Sequence, residues 1–256
     1  MKIFVFSIRR FLVFLLVLTI TVITISAISL TSMDILGVFS INKEIPIYSV
    51  DTSGKTASIT FDCAWGAADI PEILSTLREA NIKATFFIVG QWAEKYPETV
   101  KMIAQEGHDI GNHSYSHLRM GTLDRGKISS EIRQCTDLLE KLTTAKCDLF
   151  RAPYGDYNNT LLDEARKQGY FTIQWDVDSL DWKPGIGRDE ILQRITAKIR
   201  PGSILLFHND TPYTAKLLPQ IITTLKNEGF DFLPVSELIL KEDYEIDHEG
   251  KQKRKQ

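Results

Sequence analysis

The sequence predicts an α/β fold built on a parallel sheet, as a (β/α) barrel, complete or not, or as an open doubly wound sheet. Three observations predict it. From Thr56 onward, short β-rich runs alternate with amphipathic helical runs, the order that gives a parallel sheet covered by helices. About seven such units occur, a number suited to a barrel. The 256 residues, 43% of them hydrophobic, suffice for one domain with a sizeable core plus appendages.

The elements follow in order. Arg9 and Arg10 precede the apolar run "FLVFLLVLTITVITISAISLTSM", and no charge returns until Asp34. Roughly 20 apolar residues span a bilayer. With basic residues ahead of the run, residues 1–33 are expected to be a cytoplasmic N-terminus and a single-pass membrane anchor, with the rest outside. The alternative is a secreted chain cleaved near "SAIS". Residues 34–54 read as a stalk and 55–240 as the domain. Residues 241–256, charged and poor in aliphatics, read as a disordered tail.

Within the domain the expected strands are 56–61, 84–89, 108–113, 147–152, 170–175, 203–208 and 230–235. Helical spacing of apolar residues marks Ile70, Ile73, Leu74 and Leu77. It recurs at Ile128, Ile132, Cys135, Leu139 and Leu142, and at Leu218, Ile221, Ile222 and Leu225 before Gly229. Pro97 suits the first turn of a helix ending at Gly107. The formal net charge of −3 carries no basic field for nucleic acid. Cys135 and Cys147 could pair in an oxidising compartment, but the helical run between them is expected to keep them apart. A monomer is expected.

Ionisable residues collect at the strand ends: Asp62, His113 with His117, Arg151, Asp176 with Asp178 and Asp181, and His208. In a parallel α/β fold those ends share one face, where sites are built. The four-residue spacing in "HSYSH" puts both imidazoles on one side of a helical turn, able to share a metal. Zinc is the natural candidate, with cobalt or manganese as other first-row choices. "RAPYG" offers a guanidinium for a carboxylate, a turn at Pro153 and a close backbone approach at Gly155. "WDVDSLDW" places three acids beside an aromatic wall, and His208 closes the buried-looking strand "SILLFH".

In this order, "TFDCAW", "HSYSH", "RAPYG", "DVDSLDW" and "LLFH" resemble the motifs of the polysaccharide deacetylase family, the NodB-homology domain of carbohydrate esterase family 4, over about Lys55 to Leu240. "FDCAWG" and the apolar N-terminus look most like the membrane-anchored subgroup of spore-forming Gram-positive bacteria. The resemblance implies a distorted (β/α)7 barrel that removes acetyl groups from N-acetylated sugars with a divalent metal. It implies Asp62 as general base, His113 and His117 as metal ligands, and His208 as general acid. Arg151 would orient the base, and Asp181, ahead of Asp178, would tune His208. Tyr154, after Pro153, would offer its backbone N–H to the oxyanion, and Trp182 and Leu206 would wall the acetyl pocket.

One departure stands out. The family's first motif has two successive aspartates, the second a metal ligand, and here Cys63 takes that place. Three outcomes are open: Asp69 replaces it, the Cys63 thiolate replaces it, or the site binds metal weakly and activity is low; Asp69 ranks ahead of Cys63 because an exposed thiol outside the cell oxidises. The substrate implied is cell-wall glycan, peptidoglycan N-acetylglucosamine or N-acetylmuramic acid. The alternatives are a chitooligosaccharide or other surface-polysaccharide deacetylase, and a non-catalytic glycan-binding or spore-assembly protein that retains the fold.

Overall fold

The computed structural model describes residues 8–38 and 43–255. Residues 1–7, which carry part of the expected cytoplasmic N-terminus, 39–42 in the expected stalk, and Gln256 lie outside the described residues. The chain divides into two compact units, residues 1–43 and 44–256.

In the first unit, helix α1 spans Ile8–Val38. Among the described residues no helix is long and apolar enough to cross a membrane. That finding overturns the expected single-pass membrane location.

The second unit begins with strand β1 (Ser49–Val50) and β2 (Thr56–Cys63), then helix α2 (Ile70–Glu79) and β3 (Thr85–Ile88). Helices α3 (Gly90–Lys95) and α4 (Pro97–Gln105) lead to β4 (Asp109–Asn112) and the long α5 (Arg125–Thr143). There follow β5 (Leu149–Phe150), α6 (Asn159–Lys167), β6 (Phe171–Thr172), β7 (Val177–Asp178) and α7 (Arg188–Lys198). The chain continues through β8 (Ile204–His208), α8 (Thr214–Asn227), β9 (Asp231–Phe232), α9 (Val235–Leu238), β10 (Tyr244–Ile246) and β11 (Lys251–Arg254).

The main sheet runs β6-β5-β4-β3-β2-β8-β7, with β9 also on β2, and every pairing in it is parallel. Its outer strands, β6 and β7, do not pair with each other among the described residues, so the strands form a parallel half-barrel. Each predicted strand is present, mostly shorter than its apolar run. The stripe of α2, Ile70, Ile73, Leu74 and Leu77, is buried as its spacing predicts, as are Ile128, Ile132, Cys135 and Leu139 of α5. Phe61 and Cys63 of β2 join Phe86 and Phe207 in the core between sheet and helices. Burying these side chains contributes roughly 1.5–3 kcal/mol each. The three cysteines are free and buried.

Two boundaries differ from expectation. The stalk does not extend to 54: Ile47 and Val50 are buried, and the Ile47 N–H donates to the Thr172 carbonyl at 2.9 Å. Nor is 241–256 a disordered tail. β10 and β11 form an antiparallel pair, and β11 runs parallel to β1. Gln252, fully buried, anchors this small sheet through paired bonds with Leu240, its Oε1 accepting the N–H at 2.8 Å and its Nε2 donating to the carbonyl at 2.7 Å. Backbone pairing and one satisfied amide, rather than aliphatic burial, order the segment, which is why its composition concealed it.

Candidate active site

Register brings the predicted residues to one level. Asp62 lies opposite His208 across the β2–β8 pair, and Asn112, just before His113, lies opposite Ile88. Side chains alternate along β2. Phe61 and Cys63 therefore face the helices, while Thr60 and Asp62 face the barrel interior. A pocket of about 390 Å³ opens there, lined by residues that include Asp62, His113, His117, Tyr154, Trp182, Leu206 and His208.

Arg151 is fully buried beneath it. One of its nitrogens donates to Asp62 Oδ1 at 2.7 Å and to Thr60 Oγ1 at 2.9 Å, and another donates to the Gln174 carbonyl at 3.1 Å. Its guanidinium carbon stands 3.9 Å from the Phe87 ring centroid, so the cation is desolvated against an aromatic face. Burial by itself would raise the Asp62 pKa. The Arg151 guanidinium, then His113 and His208, overcome burial and hold the carboxyl below its ordinary value.

His208 is set in the opposite sense. Asp181, itself buried, accepts from His208 Nδ1 at 2.8 Å with one oxygen, and from the His208 N–H at 2.8 Å and the Thr214 hydroxyl at 2.5 Å with the other. Burial favours the neutral imidazole, yet Asp181 more than offsets it and raises the His208 pKa. Asp178 makes no such contact: its Oδ1 accepts from the Leu180 N–H at 2.8 Å. The pocket thus holds a carboxyl whose pKa is lowered and an imidazole whose pKa is raised.

The two motif histidines meet by a different route from a helical turn. His113 directly follows β4, and left-handed φ values at Ser114 (64°) and His117 (55°) fold the chain back. Their rings come to 5.1 Å between centroids. Glu131 of α5, buried, clamps this loop by accepting from the Ser116 N–H at 2.7 Å and its hydroxyl at 3.1 Å. His113 Nδ1 lies 2.8 Å from the Arg151 carbonyl, which leaves Nε2 facing Asp62 Oδ2 at 3.4 Å. Burial, then the neighbouring His113, lowers the His117 pKa to about 4.

Neither expected third ligand joins them. Cys63 is fully buried in the apolar core, where burial and then Asp62 push its thiol well up. The Asp69 carboxylate accepts from the Asp210 N–H at 2.8 Å and does not line the pocket. Among the described residues, no three His, Cys, Asp or Glu side chains are grouped to hold a metal ion. The donor set does not complete the zinc centre that the resemblance implies. Cys63→Ala and Asp69→Ala are accordingly expected to leave the zinc content of the purified protein unchanged by elemental analysis. A fall in either variant would restore that residue as a ligand.

Pro153 is buried in the turn Pro153–Gly155, behind the pocket, and carries Tyr154 in a left-handed conformation (φ 61°). The Tyr154 hydroxyl lies 3.1 Å from His117 Nδ1. Sequence reasoning missed Trp65 and Arg119, which also line the pocket together with Trp175 of the aromatic wall. It missed Glu131 as well, although that residue falls on the apolar stripe of α5 between Ile128 and Cys135, where a buried acid needs a partner.

The fold and pocket together define an α/β protein with a pocket of carboxylates and imidazoles at the C-terminal ends of parallel strands. The chain belongs to the polysaccharide deacetylase family, whose sequence signature matches residues 49–173. A peptidoglycan-N-acetylglucosamine deacetylase of Bacillus cereus is 36% identical over 181 residues, covering 69% of this chain and 65% of that protein. The chain therefore spans just under two thirds of that relative. A second peptidoglycan-N-acetylglucosamine deacetylase of the same organism is 33% identical over 198 residues, 75% of this chain and 92% of its own. Among solved structures, a CE4 family pseudoenzyme from Bacillus anthracis superposes with a TM-score of 0.74 at 33% identity, over 82% of this chain and 70% of that one. A mutant of that pseudoenzyme has restored enzymatic activity.

Proposed function

We propose that the chain is a hydrolase that removes acetyl groups from cell-wall glycan, the N-acetylglucosamine or N-acetylmuramic acid of peptidoglycan. The observation that carries this reading is the opposed pair: Asp62 against Arg151 at 2.7 Å, its pKa lowered, and His208 against Asp181 at 2.8 Å, its pKa raised. In this reading the acetyl group enters between Trp182 and Leu206. Asp62 takes a proton from the attacking water, a contribution typically of about 10²–10⁴ in rate. The Tyr154 backbone N–H receives the developing oxyanion. His208 Nε2 protonates the leaving amine, so the C–N bond breaks to free amine and acetate.

Acetate release from purified peptidoglycan and from chitin oligomers, with and without added zinc, cobalt or manganese, tests it. Release is expected from peptidoglycan, and release from neither glycan would contradict the proposal. Likeness to a pseudoenzyme supports a second reading, a glycan-binding protein without turnover, and saturable binding in the absence of acetate would favour it.

The pH dependence follows from the two shifts. Activity requires Asp62 ionised and His208 protonated. Replacing Asp181 by Asn removes the charge that raises His208, so the alkaline limb of kcat/KM is expected to move to lower pH. An unmoved limb would separate Asp181 from the acid. For stability, the lowered Asp62 pKa contributes above its unfolded value of about 4 and is lost as pH falls. The raised His208 pKa contributes fully below about 6.5 and is lost as pH rises through its folded value.

A further inference from the structure

We propose that Arg119 makes this pocket selective for a glycan carrying a carboxylate beside its N-acetyl group. The inference rests on the deacetylase reading and narrows its substrate. Arg119 is exposed and lines the pocket. Its guanidinium carbon stands 4.7 Å from the Tyr154 ring centroid, and the Tyr154 hydroxyl is tied to His117 Nδ1 at 3.1 Å. The cation is therefore held over an aromatic face with its N–H edge free to donate.

No carboxylate answers it among the described residues. Of the acids that line the pocket, Asp62 is taken by Arg151 and Asp178 accepts from the Leu180 N–H. Elsewhere on the domain, Arg78, Arg125, Arg166 and Arg200 each sit on a carboxylate within 3.2 Å. An unpaired, stacked guanidinium at the mouth of a reaction pocket suits an anion brought by the ligand, and a planar carboxylate can meet it with two parallel hydrogen bonds. Uncharged chitin-type sugars bring none. A lactyl ether on the acetylated sugar, or a uronic acid next to it, brings one.

The test uses four glycans: peptide-free peptidoglycan strands with free lactyl carboxylates, the same strands after methyl esterification, an N-acetylated polymer alternating with uronic acid, and chitin oligomers. The wild-type kcat/KM is expected to favour the free strands over their ester on the order of tenfold. Arg119→Gln should bring that ratio near one, and Arg119→Lys should keep part of it. Preference for the uronic polymer instead would assign the carboxylate to the neighbouring sugar. Equal loss on free and esterified strands would overturn the inference and leave Arg119 a support for Tyr154. Binding of the same glycans to the Asp62→Asn chain reads selectivity without turnover. Selective binding with no acetate release by the wild type would sink the deacetylase reading alone, and equal binding of free and esterified strands would sink this one.

Discussion

Arg151→Leu is expected to destabilise the domain by about 3–5 kcal/mol, the usual range when one partner of a buried ion pair is removed. The variant strands the Asp62 carboxylate, 4% exposed, without the cation that now donates to it at 2.7 Å. It also deprives Thr60 Oγ1 and the Gln174 carbonyl of a donor. The stranded carboxyl would take up a proton, and the base would be lost with the stability. Because an apolar pair often replaces a buried ion pair at little cost, Arg151→Leu/Asp62→Leu should recover much of the loss. Urea unfolding of the two single variants and the double variant measures the coupling. A single-variant loss below about 1 kcal/mol would place the pair on a par with surface ion pairs.

The second large effect is on turnover. Asp62→Asn keeps the shape and the hydrogen-bonding oxygen facing Arg151 but cannot take a proton. A fall in kcat of about 10²–10⁴ with little change in KM is expected, since the group acts on the attacking water rather than on the sugar. Initial rates of acetate release against glycan concentration separate the two parameters. A rise in KM with unchanged kcat would make Asp62 a binding residue.

Much of the fold was legible from the alternation of β-rich and amphipathic runs, because parallel strands buried on both faces leave dense apolar signals. β7, only Val177–Asp178, left none amid the acids of its loop. The β10–β11 sheet escaped because it is held by backbone bonds and Gln252 rather than by apolar alternation. The gathering of Asp62, His113, His117, Arg151, Asp181 and His208 was legible because parallel strands deliver their C-terminal ends to one face. The histidine spacing pointed to a helical turn, whereas left-handed residues in a loop bring the rings together. Arg119 gave no sign, since its role depends on the Tyr154 ring, 35 residues on along "RAPYG" and beyond the reach of local pattern.

The place of Cys63 was in part readable beforehand. Successive strand residues face opposite ways, so if Asp62 points into the barrel, Cys63 points into the helices. The thiol fills core space where the family pattern has a ligand. That one position separates a pocket that holds Asp62 and His208 from the metal centre that the resemblance implies.

The most direct test of the central claim is acetate released from peptide-free peptidoglycan strands by the wild-type chain and by Asp62→Asn, side by side at the pH optimum. The opposed pair predicts release by the wild type and at least a hundredfold less by the variant. Equal release by both, or none by the wild type with or without added metal, would contradict it.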